Sequence, residues 1–197
     1  MPDLTERGPF LNLAALFEGG LAAVAFALGW MVGIDPLANL QLDWPGLMWG
    51  VGGVVPLLLL FWISYRFPFG PFRSIKRFLI EMLGPPLAAC RWYDLPLLSL
   101  LVGLSEEMLF RGLAQPWLEH WGPAAGLIGS NVIFGLAHAI TPAYALLAGL
   151  VGAYLGLLME TGESRNLLTP IVTHALYDYV VFLVVIRSYR HQLSIEN

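Results

Sequence analysis

The sequence predicts an all-α fold, a polytopic membrane bundle of about six transmembrane helices with a polar site inside it. Three observations predict this. The chain is 57% hydrophobic and 12% charged, whereas a soluble domain carries roughly 25% charged residues. Its mean hydropathy is +0.69. Apolar runs divided by Pro, Gly and charge recur along all 197 residues, enough for about six helices of ~20 residues and no separate soluble domain. The whole chain, 1–197, therefore reads as one membrane domain.

The first two candidate spans lie near 11–33 and 47–65. The first is interrupted by Glu18, which has no partner nearby in sequence and is expected to snorkel toward an interface; it receives no role. The acidic loop between them holds Asp35 and Asp43. The start, MPDLTERGPF, has neither a basic n-region nor a small-residue cleavage site, so no removable signal peptide is expected. The connection 66–94 is the longest. Its middle, SIKRFLIEMLG, alternates basic and apolar residues at helical spacing, as an interfacial amphipathic helix does, and Pro85-Pro86 should end that helix.

Four more spans follow, near 95–115, 123–140, 143–159 and 167–187. Small-residue spacings such as Gly29–Gly33, Gly122–Gly126 and Gly152–Gly156 permit close helix contact in lipid. Trp44, Trp62, Trp92, Trp117 and Trp121 lie near span ends, where aromatic belts form. The single cysteine, Cys90, excludes an internal disulfide and a Cys-based zinc cage. Basic residues concentrate in the 66–94 connection and at Arg187 and Arg190, against Arg165 on the opposite face. The positive-inside rule then puts both termini in the cytoplasm. Nothing in the chain suggests a nucleic-acid partner.

The ionisable residues inside these spans are the chemical signal, because each costs several kcal/mol in hydrocarbon unless paired or hydrated. They are Glu106, Glu107 and Arg111 in the third span, His138 at the end of the fourth, and His174 with Asp178 in the sixth. Residues four apart share a helix face, so Glu107 and Arg111 should pair. Glu106 points elsewhere and is left without an intrahelical partner, which suits a base that takes a proton from water. Asn131, Phe134 and His138 form one stripe. Asp178, one turn beyond His174, is expected to fix the tautomer and orientation of that imidazole.

These residues carry a resemblance. Glu106-Glu107-Met-Leu-Phe-Arg111 is similar to the EExxxR motif of the CPBP family of intramembrane proteases, which includes the Rce1-type CAAX prenyl endopeptidases and the bacterial Abi proteins. Phe134-Gly-Leu-Ala-His138 resembles its FxxxH motif, and His174-Ala-Leu-Tyr-Asp178 its HxxxN/D motif. Residues 95–187 would then be the catalytic core, in a protein of the bacterial plasma membrane. The resemblance implies hydrolysis of a peptide bond in a membrane-embedded or membrane-proximal substrate. Glu106 and His138 would activate water, His174 with position 178 would support the oxyanion, and Glu107 and Arg111 would shape the site. Asp178 stands where the CAAX enzymes have Asn, and an ionised Asp cannot donate to an oxyanion.

No cofactor is required by this reading. Zinc on Glu106, His138 and His174 is a second option, since two His and one Glu leave an open water position. A GxSG nucleophile motif fails because Gly103-Leu-Ser105 is followed by Glu106, and a GxGD motif is absent. Two other function classes stand against proteolysis: a non-catalytic binding or bacteriocin-immunity protein of the same fold, and a small proton-coupled transporter. A geometric conflict also stands. If every span crosses fully, Glu106 lies ~16 Å from the termini-side end and His138 only a few Å from it. They share a pocket only through other boundaries, tilt or a re-entrant segment.

Overall fold

The computed structural model describes residues 3–196; Met1, Pro2 and Asn197 lie outside them. Helices occur at each of the six expected spans, and no strand occurs among the described residues. The protein is an integral membrane protein built as a polytopic helical bundle. Helix α1 (Arg7–Val32) ends at Gly33, whose φ of 73° closes the helix in the left-handed region that favours glycine. Helix α2 (Trp44–Arg66) starts on Asp43, whose carboxylate accepts from the Gly46 N–H. With the last helix, these are long and apolar enough to cross a membrane.

The 66–94 connection folds as α3 (Pro71–Phe78), a π-helical turn (Leu79–Leu83) and α4 (Gly84–Ala89). Helix α3 is amphipathic as expected, with Ile75 buried beneath exposed Arg73 and Arg77. Pro85 and Pro86 do not stop the helical path. They fall in the first turn of α4, where a missing N–H leaves no bond unmade, and the π turn before them absorbs the change of register.

Helix α5 (Asp94–Glu107) continues through a second π-helical stretch (Met108–Ala114) into α6 (Gln115–Leu118) and a 3₁₀ turn (Glu119–Trp121). Helix α7 (Pro123–Ala137) returns, α8 (Pro142–Leu158) reverses again, and α9 (Leu168–Glu196) crosses the whole bundle. Loops sort onto two sides. One carries both termini and the 66–94 connection. On the other, Asn166 bonds Asp43, and Arg165 grips Glu119 with two bonds of 2.8 Å.

The core is a set of close helix approaches, as expected where lipid removes the hydrophobic drive between helices. Gly46, Gly50 and Gly53 form one stripe of α2 laid on Asn166, Thr169, Val172 and Thr173. Thr173 Oγ1 donates to the Gly50 carbonyl at 2.9 Å. Near the termini, Leu87, Leu95, Leu98, Val181, Val185 and Ile186 form an aliphatic cluster joining α4, α5 and α9.

Helices α7 and α8 are shorter than the other spans. At about 1.5 Å per residue they reach roughly 22 and 25 Å, less than the ~30 Å of a bilayer core. Their connection, residues 138–141, therefore stops short of the termini side, with Ala139 and Ile140 exposed. From the 119–122 turn the path back to Glu106 and the path forward to His138 are of similar length. The two residues thus meet at one depth, which removes the conflict that full crossings imply.

Candidate active site

Three helices deliver the site, and the EExxxR segment is its floor. Glu106 and Glu107 close the α-helical part of α5, and the π-helical stretch begins at Met108. At that switch the Met108 N–H is shared between the Leu104 and Ser105 carbonyls. Such π segments frequently mark functional sites. The expected Glu107–Arg111 pair forms, with Arg111 Nη1 donating to Glu107 Oε1 at 3.0 Å and both side chains fully buried. Arg111 Nη2 donates to Asn131 Oδ1 at 3.0 Å, and its guanidinium lies 4.5 Å from the Phe134 ring centroid. Room for this layer comes from α8, where a Cβ on Gly152 would strike Asn131 and Arg111.

His138 caps the C-terminus of α7. Its Nδ1–H donates to the Phe134 carbonyl at 2.9 Å, and its ring stacks 4.4 Å from the Phe134 ring. A carbonyl can only accept, so the proton sits on Nδ1 and Nε2 is turned inward. It lies 3.8 Å from Glu106 Oε2.

His174 is held in the same sense by a different partner. Its Nδ1–H donates to Glu107 Oε1 at 2.7 Å, leaving Nε2 at 3.9 Å from Glu106 Oε2 and 3.6 Å from Asp178 Oδ2. The expectation that Asp178 orients this imidazole is corrected. Glu107 does so, because α5 and α9 pack closely enough for Ala175 to meet Gly103. That places Glu107 under the Nδ1 edge of the ring and leaves Asp178 beside the opposite edge. Glu107 thus joins Arg111 to His174, and both imidazoles offer Nε2 to one oxygen of Glu106. That oxygen is buried and has no hydrogen-bond partner among the described residues.

All six expected residues come together: Glu106, Glu107, Arg111, His138, His174 and Asp178. Glu106, His138, His174 and Asp178 line a cavity of about 340 Å³. Its walls are mainly aliphatic and aromatic, and the reading of the sequence as a pocket enclosed by the last four spans is corrected, because the first half of the chain supplies part of the wall. Phe10 and Ala14 of α1, Leu57 and Phe61 of α2, and Ile75 and Lys76 of α3 also line it.

Glu18 also lines the cavity, and sequence reasoning missed it. It does not snorkel. It is buried, and its Oε2 accepts from Ser105 Oγ at 2.5 Å. An acid in mid-span was the available signal, but its partner is 87 residues away. His120 and His191 are exposed, away from the cavity. Among the described residues no group of three or more His, Cys, Asp or Glu is arranged to hold a metal ion.

Comparison with known proteins adds one finding. Residues 88–180 match the family described as type II CAAX prenyl endopeptidase, Rce1-like. No curated protein and no solved structure matches the chain.

Proposed function

Residues 88–180 belong to the Rce1-like family of type II CAAX prenyl endopeptidases, and from that premise we propose a metal-independent intramembrane endopeptidase that works through Glu106. The family carries protease activity on membrane-associated proteins. The observation that supports the finer reading is the convergence of His138 Nε2 and His174 Nε2 on Glu106 Oε2, at 3.8 and 3.9 Å. Both gaps are too long for direct hydrogen bonds. They suit a water that donates one proton to Glu106 and the other to the His138 lone pair.

In the proposed step, Glu106 takes a proton from this water as its oxygen bonds to the scissile carbonyl carbon. His174, protonated on Nε2, donates to the oxyanion. Glu107 on one edge of that ring and Asp178 on the other compensate its positive charge. When the C–N bond breaks, the proton held by Glu106 passes to the leaving nitrogen. Asp178 acts through His174 and makes no direct bond to the oxyanion. Arg111 holds the Glu107 carboxylate in place.

Orientation belongs to the same proposal. The side bearing the termini carries Arg7, Arg66, Arg73, Lys76, Arg77, Arg91, Arg187 and Arg190, against Arg165 on the other. That asymmetry supports cytoplasmic termini in a bacterial plasma membrane, with the cavity facing the cytoplasmic half.

The test is cleavage of a quenched membrane-peptide library by purified protein. Wild type, Glu106→Gln and Glu106→Ala are compared with and without a zinc chelator. Cleavage is expected to vanish in both variants and to survive chelation. Loss on chelation would instead assign a metal to Glu106, His138 and His174. A folded wild type that cleaves nothing would favour a binding or immunity role.

A further inference from the structure

Helix α1 lies outside the matched residues, and most of its surface faces lipid. Its buried residues are Glu18, Ala25 and Gly29, a single stripe. Of these, Glu18 is the one that is expensive to keep in a membrane. Two polar contacts set α1 and α5 side by side. Arg7 grips Asp94 with bonds of 2.6 and 2.7 Å, and Ser105 Oγ donates to Glu18 at 2.5 Å. Both contacts join residues 87 apart in sequence, so the two helices run parallel and in register. The first contact docks their starts. The second lies about 16 Å deeper, at the level of the site.

The Ser105 hydroxyl has one proton and three acceptors in reach: Glu18 Oε2, the Leu101 carbonyl at 2.9 Å and the Val102 carbonyl at 3.2 Å. Glu18 is the shortest of the three contacts, so it takes the proton. Ser105 immediately precedes Glu106, and its carbonyl is one of the two acceptors at the α-to-π switch. We propose that Glu18 is a positioning residue: through Ser105 it fixes the turn that carries Glu106, and so sets where the Glu106 carboxylate stands in the cavity they both line. A docking contact alone does not require an acid here. Thr173 on the Gly50 carbonyl shows that this bundle joins helices with hydroxyls. The inference rests on Glu106 acting as the base.

The experiment measures kcat, KM and melting temperature for Glu18→Leu, Glu18→Gln, Ser105→Ala, the Glu18→Leu/Ser105→Ala double variant and Arg7→Ala, with Glu106→Gln as reference. Glu18→Leu and Ser105→Ala should each lower kcat by about 10- to 100-fold, the usual effect of a slightly misplaced reacting group, with KM unchanged. The double variant should be no worse than either single one, since both break one link. Glu18→Gln keeps an acceptor for Ser105 and should restore most of the rate. Arg7→Ala should lower the melting temperature and leave kcat alone. Wild-type kcat in Glu18→Leu would overturn the proposal, as would an equal loss of kcat in Arg7→Ala, which would reduce Glu18 to docking. If Glu18→Leu fails to fold, Ser105→Ala decides by the same criteria. Cleavage by Glu106→Gln would instead remove the glutamate reading, and the inference with it.

Discussion

At the scale of single residues, the site is a chain of shared partners. Glu107 accepts from both Arg111 and His174, so its charge is matched only while both stay in place. Arg111→Leu leaves a fully buried carboxylate without its main counter-charge and should cost roughly 3–5 kcal/mol. Thermal melts in detergent would register it. Removing the carboxylate as well, in Arg111→Leu/Glu107→Leu, should recover much of that stability. Cleavage should stay lost, because His174 Nδ1–H then has no acceptor. Local spacing made the Glu107–Arg111 pair legible, since four residues make one helical turn. The Glu107–His174 bond was not legible: it joins residues 67 apart, and nothing in either segment names the other. Asp178 is the partner that spacing suggests for His174, because proximity along a helix is all that a sequence displays.

At the scale of elements, the two π-helical stretches and the two short helices decide where chemistry sits. The second π stretch brings Gly112 against the Pro36 carbonyl, where an added Cβ would collide with backbone. Gly112→Ala should therefore destabilise by about 1–3 kcal/mol, as overpacking does. Gly52→Ala, with open space around its Cβ, should leave the melting temperature unchanged or raise it. The difference between these two glycines is invisible in sequence. Apolar runs and breakers located most helix ends to within about four residues, but α9 runs on to Glu196, well past the expected end at 187. They could not show that α7 and α8 stop short, because a run of apolar residues looks alike whether it crosses lipid or ends against a cavity. The same limit explains Pro85-Pro86, which reads as a stop but serves as the first turn of α4.

At the scale of the whole molecule, the charge asymmetry between the two sides gives a topology that labelling can check. Cys90 is the single cysteine and lies on the termini side, so a membrane-impermeant maleimide should reach it from the cytoplasmic face. Burial pushes its thiol above the ordinary range, with the Asp94 charge adding to the effect. The thiolate is the reactive form, so labelling should remain slow below about pH 8.5, the usual thiol value, and rise above it. Ser164→Cys in a Cys90→Ala background should label from the opposite side. The reverse pattern would invert the molecule and move the cavity mouth to the outer face. The sequence by itself determined an all-helical membrane bundle, its approximate spans and the polar residues that make up the site, because hydropathy and helical spacing are local properties. Tertiary structure alone decided that Glu107 orients His174, that α1 contributes Glu18 and that Glu106 and His138 meet at one depth. Those facts depend on which helices touch and where they end, and contacts between distant segments leave no mark on either one.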